Sequence, residues 1–120
     1  MADSTTLDGL TERLIAFRDA RDWRQFHSLK DLILSLNLEA AELLELTQWK
    51  SEDAFETQAG ESGCRTRLAE ESADVLIYLL LIAERAGIDL CQAASNKIAI
   101  NETRYPVEKA RGNARKHRDR

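Results

Sequence analysis

The chain has 120 residues, 43% of them hydrophobic and 32% charged, with a net charge of −4, a length that supports one core of ordinary size. The acidic balance argues against a duplex nucleic-acid binder, whose affinity rests on neutralising phosphates. The longest apolar run, Val75 to Ala83, is too short to span a bilayer.

One proline and five glycines among long stretches of Leu, Ala and Glu predict an all-α chain. No turn signal separates two alternating runs, so no sheet is expected. The first ten residues carry neither the basic nor the apolar region of a secretory signal, and Cys64 and Cys91 have no metal-site spacing. Both features fit a cytoplasmic protein with reduced thiols.

Residues 1–6 are expected to fray, with Thr6 or Asp8 capping a first helix. Leu7, Leu10, Leu14 and Phe17 recur at helical spacing and carry that helix to about Arg21. Trp23, Phe26 and His27 follow. Either the two aromatics close the top of the core, or they form a flat wall for a nucleobase with His27 beside it as a hydrogen-bonding partner. Ser28 caps a second helix predicted over Leu29 to Lys50, whose last turn holds Trp49 and Lys50. Residues 51–66, rich in Ser, Gly, Glu and Thr, read as a loop with a short helical turn around Asp53 to Thr57, long enough for a lid or a crossover.

The third helix is predicted from about Arg65 to Ala86, stopping at Gly87. Its segment Val75 to Ala83 is apolar around the whole circumference, which one small chain cannot cover, so a subunit interface is expected there. Tyr78 lies one turn beyond Asp74, in reach of a site or in the core. Asp89 begins a fourth helix that sends Leu90, Ala93, Ala94, Ile98 and Ile100 to the core and ends before Pro106. Lys97, Asn101 and Arg104 line its other side, as a solvated stripe or as phosphate binders. Val107 to Arg120 has no apolar period. Its six basic and two acidic residues give +4 and leave −8 for the rest. The expected architecture is a four-helix-bundle-like domain over residues 1–106 and a flexible basic tail over 107–120.

The chemistry lies in the second and third helices. Leu32, Leu36, Leu43 and Leu46 keep a three-to-four-residue spacing, and Glu39 stands where that stripe calls for another apolar residue. Glu71 fills the same gap among Leu68, Val75, Leu79 and Ile82. Glu42 and Asp74 lie three residues further on, each on the same face as its partner. Carboxylates gathered in a partly dry cleft repel one another unless a cation compensates them. Oxygen donors without His or Cys select Mg²⁺ or Mn²⁺ over zinc. Such a site, with aromatics for a base and a Lys/Arg face, suggests a nucleotide polyphosphate and its hydrolysis. There is no phosphate-binding GxxxxGK[ST] loop, and neither helix has the ExxH of a di-iron bundle.

Glu39-x-x-Glu42, 28 intervening residues and Glu71-x-x-Asp74 resemble the ExxE…ExxD signature of the all-α MazG-type nucleoside triphosphate pyrophosphohydrolases. FRDARDWRQFH from Phe17, QWK from Gln48, EESADVLIYL from Glu70 and NETRYP from Asn101 are similar to the dCTP pyrophosphatase group, over about Leu14 to Arg111. The resemblance implies Mg²⁺-dependent cleavage between the α- and β-phosphates, to a monophosphate and pyrophosphate, with dCTP or modified pyrimidine nucleotides as substrates. It implies Glu39, Glu42, Glu71 and Asp74 as metal ligands. Trp23, His27 and Trp49 would then surround the base, with Lys50 and Tyr78 also in the substrate-binding set, and Lys97, Asn101, Arg104 and Tyr105 would approach sugar and phosphates. It also implies a homodimer or homotetramer whose sites can borrow residues from a neighbouring subunit. Glu45 and Glu70 are either general bases for the attacking water or solvent-side charges. Family members often have Gly before the first ligand, where this chain has Leu38.

Two other readings compete. The chain could be a non-catalytic helical oligomer that binds nucleotide or a protein partner, against which the four intact acids count. It could also be a nucleic-acid module working through the basic tail.

Overall fold

The computed structural model describes residues 3–114, and every regular element among them is helical. The chain divides into two compact units, Met1–Gly87 and Ile88–Arg120. The first holds α1 (Leu7–Ala20), a 3₁₀ turn (Arg24–Phe26), α2 (Leu29–Glu45), α3 (Glu52–Ala59) and α4 (Ser62–Ala86). The second holds α5 (Leu90–Arg104) and α6 (Val107–Ala110). The all-α class is as expected.

Most helix starts follow from a side-chain cap, because the first amides of a helix have no partner within it. Thr6 Oγ1 accepts from the Gly9 amide at 3.0 Å, Ser28 from Asp31 at 3.1 Å, Ser51 from Ala54 at 3.1 Å and Asp89 from Gln92 at 3.1 Å. Residues 3–6, expected to fray, are instead tied to α1. The Asp3 carboxylate accepts from both the amide and the hydroxyl of Thr5, and the Asp3 backbone crosses buried Gly9 so closely that a Cβ there would collide with it. Met1 and Ala2 lie outside the described residues. At the other end of α4, Gly87 takes φ 70°, ψ 36°, the left-handed stop that a glycine allows without strain.

α4 is the hub of the first unit: α2 packs along it, and α1 and α3 pack against it too. The apolar residues sealed from solvent are Leu32 and Leu46 on the α2 side and Leu80, Leu81 and Ala83 on α4. Arg18, 4% exposed, ties the end of α1 to α4 through Glu84 at 3.0 Å and also holds Asp19 at 2.9 Å. This core is thin for so apolar a chain. Phe17, Leu34, Leu38, Leu44, Ile77 and Leu79 are all exposed.

The structure corrects several sequence boundaries. α2 ends at Glu45, not Lys50: residues 46–49 form a turn in which Trp49 adopts φ 63°. The loop after it holds a two-turn helix, α3, started by Ser51 and favoured by Glu52 and Asp53 in its first turn. α4 begins a turn early, at Ser62. Of the apolar residues assigned to a core on α5, Leu90 is half-buried, but Ala93 and Ala94 are exposed and so are Ile98, at 59%, and Ile100, at 45%. α6 gives the start of the tail a helical turn, while Arg115, Lys116, Arg118 and Arg120 lie outside the described residues.

Candidate active site

α2 and α4 lie side by side, and each turns its carboxylate pair toward the other. One oxygen from each of Glu39, Glu42, Glu71 and Asp74 lies within 4.8 Å of all the others. Glu39, Glu71 and Asp74 are half-buried, Glu42 exposed. This is the convergence expected from acids set into two apolar stripes: packing the stripes together forces the acids together.

The electrostatics follow from that crowding. The Glu42 carboxyl is raised above its ordinary value, chiefly by hydrogen bonding to Glu39 and then by repulsion from it, with a smaller push from Glu45. The Glu71 carboxyl is raised first by burial, then by hydrogen bonding to and repulsion from Glu42 and by Asp74, partly offset by Arg67. Glu39 Oε2 and Glu71 Oε2 are closed off from solvent and accept no hydrogen bond. Buried acceptors of this kind are costly when left without a donor or cation. An all-oxygen set with two orphaned buried atoms suits a hard divalent ion. Leu38, the departure from the usual Gly, is 61% exposed and so does not intrude.

The other expected site residues are distributed as follows. Trp23 rests edge-on against Phe17, ring centroids 5.7 Å apart at 78°, yet stays 44% exposed, with Phe26 at 64%. His27 is half-buried, and its Nδ1 is enclosed without a partner. Trp49 is 99% exposed. Its left-handed backbone costs a non-glycine residue about 1–2 kcal/mol, so the indole adds strain and almost no packing to this chain. Lys50 turns back on its own chain, donating from Nζ to the Leu46 carbonyl at 3.0 Å, with the Phe55 ring 5.8 Å away. Tyr78 is half-buried, and Glu45 and Glu70 are exposed. Lys97, Asn101 and Arg104 are exposed along α5; with Tyr105 they belong to the second unit, the carboxylates to the first.

Two residues escaped the sequence reading. Arg67, one turn before Glu71 on α4, counters that carboxyl's crowding, and its i, i+4 spacing was the available signal. Phe55, inside the stretch read as a loop, flanks Lys50.

The model of the MazG-like family matches residues 34–119, a span that contains all four carboxylates. The chain belongs to the MazG-like family. It is 44% identical over 114 residues to mouse dCTP pyrophosphatase 1, covering 95% of this chain and 67% of the relative. It is 41% identical over 112 residues to the human protein of that name, covering 93% and 66%. The chain thus spans about two thirds of the length of these curated relatives. A crystal structure of a pyrophosphatase from Archaeoglobus fulgidus DSM 4304 superposes with a TM-score of 0.74 at 41% identity, covering 83% of this chain and 92% of that one. By this kinship the MazG-like chain is an enzyme, a pyrophosphohydrolase.

Proposed function

We propose that this MazG-like enzyme hydrolyses dCTP and related pyrimidine nucleoside triphosphates between the α- and β-phosphates, releasing a monophosphate and pyrophosphate, with a divalent cation held by Glu39, Glu42, Glu71 and Asp74. The observation that carries the reading is the meeting of these four carboxylates across α2 and α4, two of them with enclosed oxygens that lack a partner. The names of the relatives support the substrate class, and Mg²⁺, with Mn²⁺ as substitute, follows from the oxygen donors. A bound divalent ion would supply phosphate polarisation and charge neutralisation.

The remaining roles belong to the chain's own residues. Trp23, His27 and Trp49 form the base-binding wall; the enclosed His27 Nδ1 and the exposed indole of Trp49 are each unexplained by packing alone. For Lys97, Asn101, Arg104 and Tyr105 the sugar- and phosphate-binding role rests on the resemblance around the NETRYP stretch alone, and Tyr78 closes the site. Glu45, three residues past Glu42 and so on the same side of α2, is the better candidate for accepting the proton of the attacking water. Glu70 is left as a solvent charge. The thin core and the exposed apolar residues Ile77 and Leu79 on α4 support a homo-oligomer, a dimer or tetramer, in which a second copy covers that face. Among the described residues no helix is long and apolar enough to cross a membrane.

The test is a panel of canonical and modified nucleoside triphosphates, assayed for pyrophosphate and orthophosphate with Mg²⁺ and with EDTA. Mg²⁺-dependent pyrophosphate release, greatest with cytosine nucleotides, is expected. Orthophosphate as the first product overturns the cleavage position, and a purine preference overturns the substrate class.

A further inference from the structure

We propose that Lys50 is a positioning residue for Trp49: its ammonium fixes the turn that holds the indole out from the end of α2, and so sets affinity for the substrate base without touching substrate. The proposal rests on Trp49 forming part of the base wall, as proposed above.

In an uninterrupted helix the Lys50 amide would donate to the Leu46 carbonyl, four residues back. The chain reverses at Trp49 instead, and the Lys50 amide donates to Thr47 at 3.3 Å. Leu46, 5% exposed, would then have a carbonyl without its helical donor in a place water reaches poorly. Lys50 Nζ fills the vacancy at 3.0 Å, so the side chain supplies the bond that its own backbone has given up. The Phe55 ring of α3 flanks the same ammonium at 5.8 Å. Lys50 therefore fastens the corner on both sides, to the Leu46 carbonyl at the C-cap of α2 and to the next helix, with Trp49 at the apex.

The backbone at that apex explains why a fastening is needed. A helix that stops with a left-handed residue ordinarily uses glycine, as α4 does at Gly87. Here the position is held by a bulky aromatic, with φ 63° and 99% exposure. Strained backbone persists where the surroundings over-determine it. The turn around Trp49 is held by the bond from Lys50 Nζ to Leu46, the bond from the Lys50 amide to Thr47, the bonds from the Thr47 amide to Leu44 at 2.9 Å and the Gln48 amide to Glu45 at 3.2 Å, and the bond from the Thr47 hydroxyl to Leu44 at 2.8 Å. Of these, the Lys50 side chain is the one that also reaches a different element. A lysine so engaged is not reaching outward for phosphate.

The experiment measures KM and kcat for dCTP with Mg²⁺, and a thermal melt, for the wild type, Lys50→Met, Lys50→Arg, Trp49→Ala and the Trp49→Ala/Lys50→Met double variant. Lys50→Met is expected to raise KM about tenfold with kcat within about twofold, and to change KM less than about twofold once Trp49 is Ala, the non-additivity of two residues acting as one unit. Lys50→Arg keeps a cationic donor and restores KM toward the wild type. Phe55→Leu, which loosens only one side of the corner, gives a smaller rise that also needs Trp49, and it serves as the test should Lys50→Met fail to fold. An equal Lys50→Met effect in the Trp49→Ala background overturns the proposal and makes Lys50 a direct phosphate contact. A lowered melting temperature with wild-type KM overturns it in favour of a helix cap alone. If Trp49→Ala itself leaves KM unchanged, the base-wall role of Trp49 falls and the positioning role falls with it; a Trp49→Ala effect that simply adds to that of Lys50→Met sinks the positioning role only.

Discussion

Trp49→Gly separates function from folding at one position. The wild-type residue carries about 1–2 kcal/mol of left-handed strain, and its 99% exposed side chain offers no burial in return. Glycine removes the strain but adds unfolded-state entropy worth roughly 0.5–1 kcal/mol. The net expectation is a protein as stable as the wild type, or more stable by up to about 1.5 kcal/mol. Binding should move the other way: a base stacked on an aromatic ring is worth about 1–3 kcal/mol, so KM for dCTP should rise roughly 5- to 150-fold. Urea unfolding at matched protein concentration gives the first quantity and steady-state kinetics the second. A destabilisation beyond about 1 kcal/mol, with KM unchanged, would show that the indole packs against protein in the working enzyme, and the base-wall reasoning would be refuted.

Glu42→Gln and Asp74→Asn should each lower Mg²⁺-dependent turnover by at least about 100-fold while raising the melting temperature in EDTA, because each relieves like-charge crowding; turnover that survives both changes would remove these groups from the metal site. The raised Glu42 and Glu71 carboxyls hold protons more tightly in the folded apo-protein than in the unfolded chain, so their contribution to stability is complete below the ordinary value of 4.5 and is lost as pH rises through the raised folded values. In EDTA, the melting-temperature gain of Glu42→Gln over wild type should therefore grow with pH across that window, whereas stabilisation of the wild type by Mg²⁺ should appear over the same window, since the cation needs the ionised acids; a gain independent of pH contradicts the assignment. Arg18→Met should cost about 2 kcal/mol in urea unfolding, below the usual 3–5 for breaking a buried pair, because the Glu84 side chain is 27% exposed and can be hydrated; an unchanged midpoint would mean that the pair does not hold α1 to α4.

The four carboxylates could be read from the sequence because each interrupts or follows an apolar period, and a period fixes which helix face a residue occupies. Ser28 as a cap, Thr6 as one of two candidate caps and Asp89 as the start of the last long helix were legible for the same local reason. The end of α2 was not. Leu46 continues the apolar stripe and no glycine or proline follows it, so nothing in the residues from Leu44 to Lys50 announces that Trp49 will take the conformation a glycine would. α3 was underestimated because its eight residues are mostly polar, although Ser51 and the acids behind it marked its start. The inward assignment of Ile98 and Ile100 failed for a different reason: periodicity gives a helix an apolar face, but it does not say that the same chain will cover it.

Binding of Mn²⁺, followed by electron paramagnetic resonance with a non-hydrolysable α,β-imido analogue of dCTP present, tests the metal-and-triphosphate reading most directly. Saturable binding by the wild type that is lost in Glu71→Gln and in Asp74→Asn, both still folded, is the expected result. Equal Mn²⁺ affinity in all three proteins would contradict it.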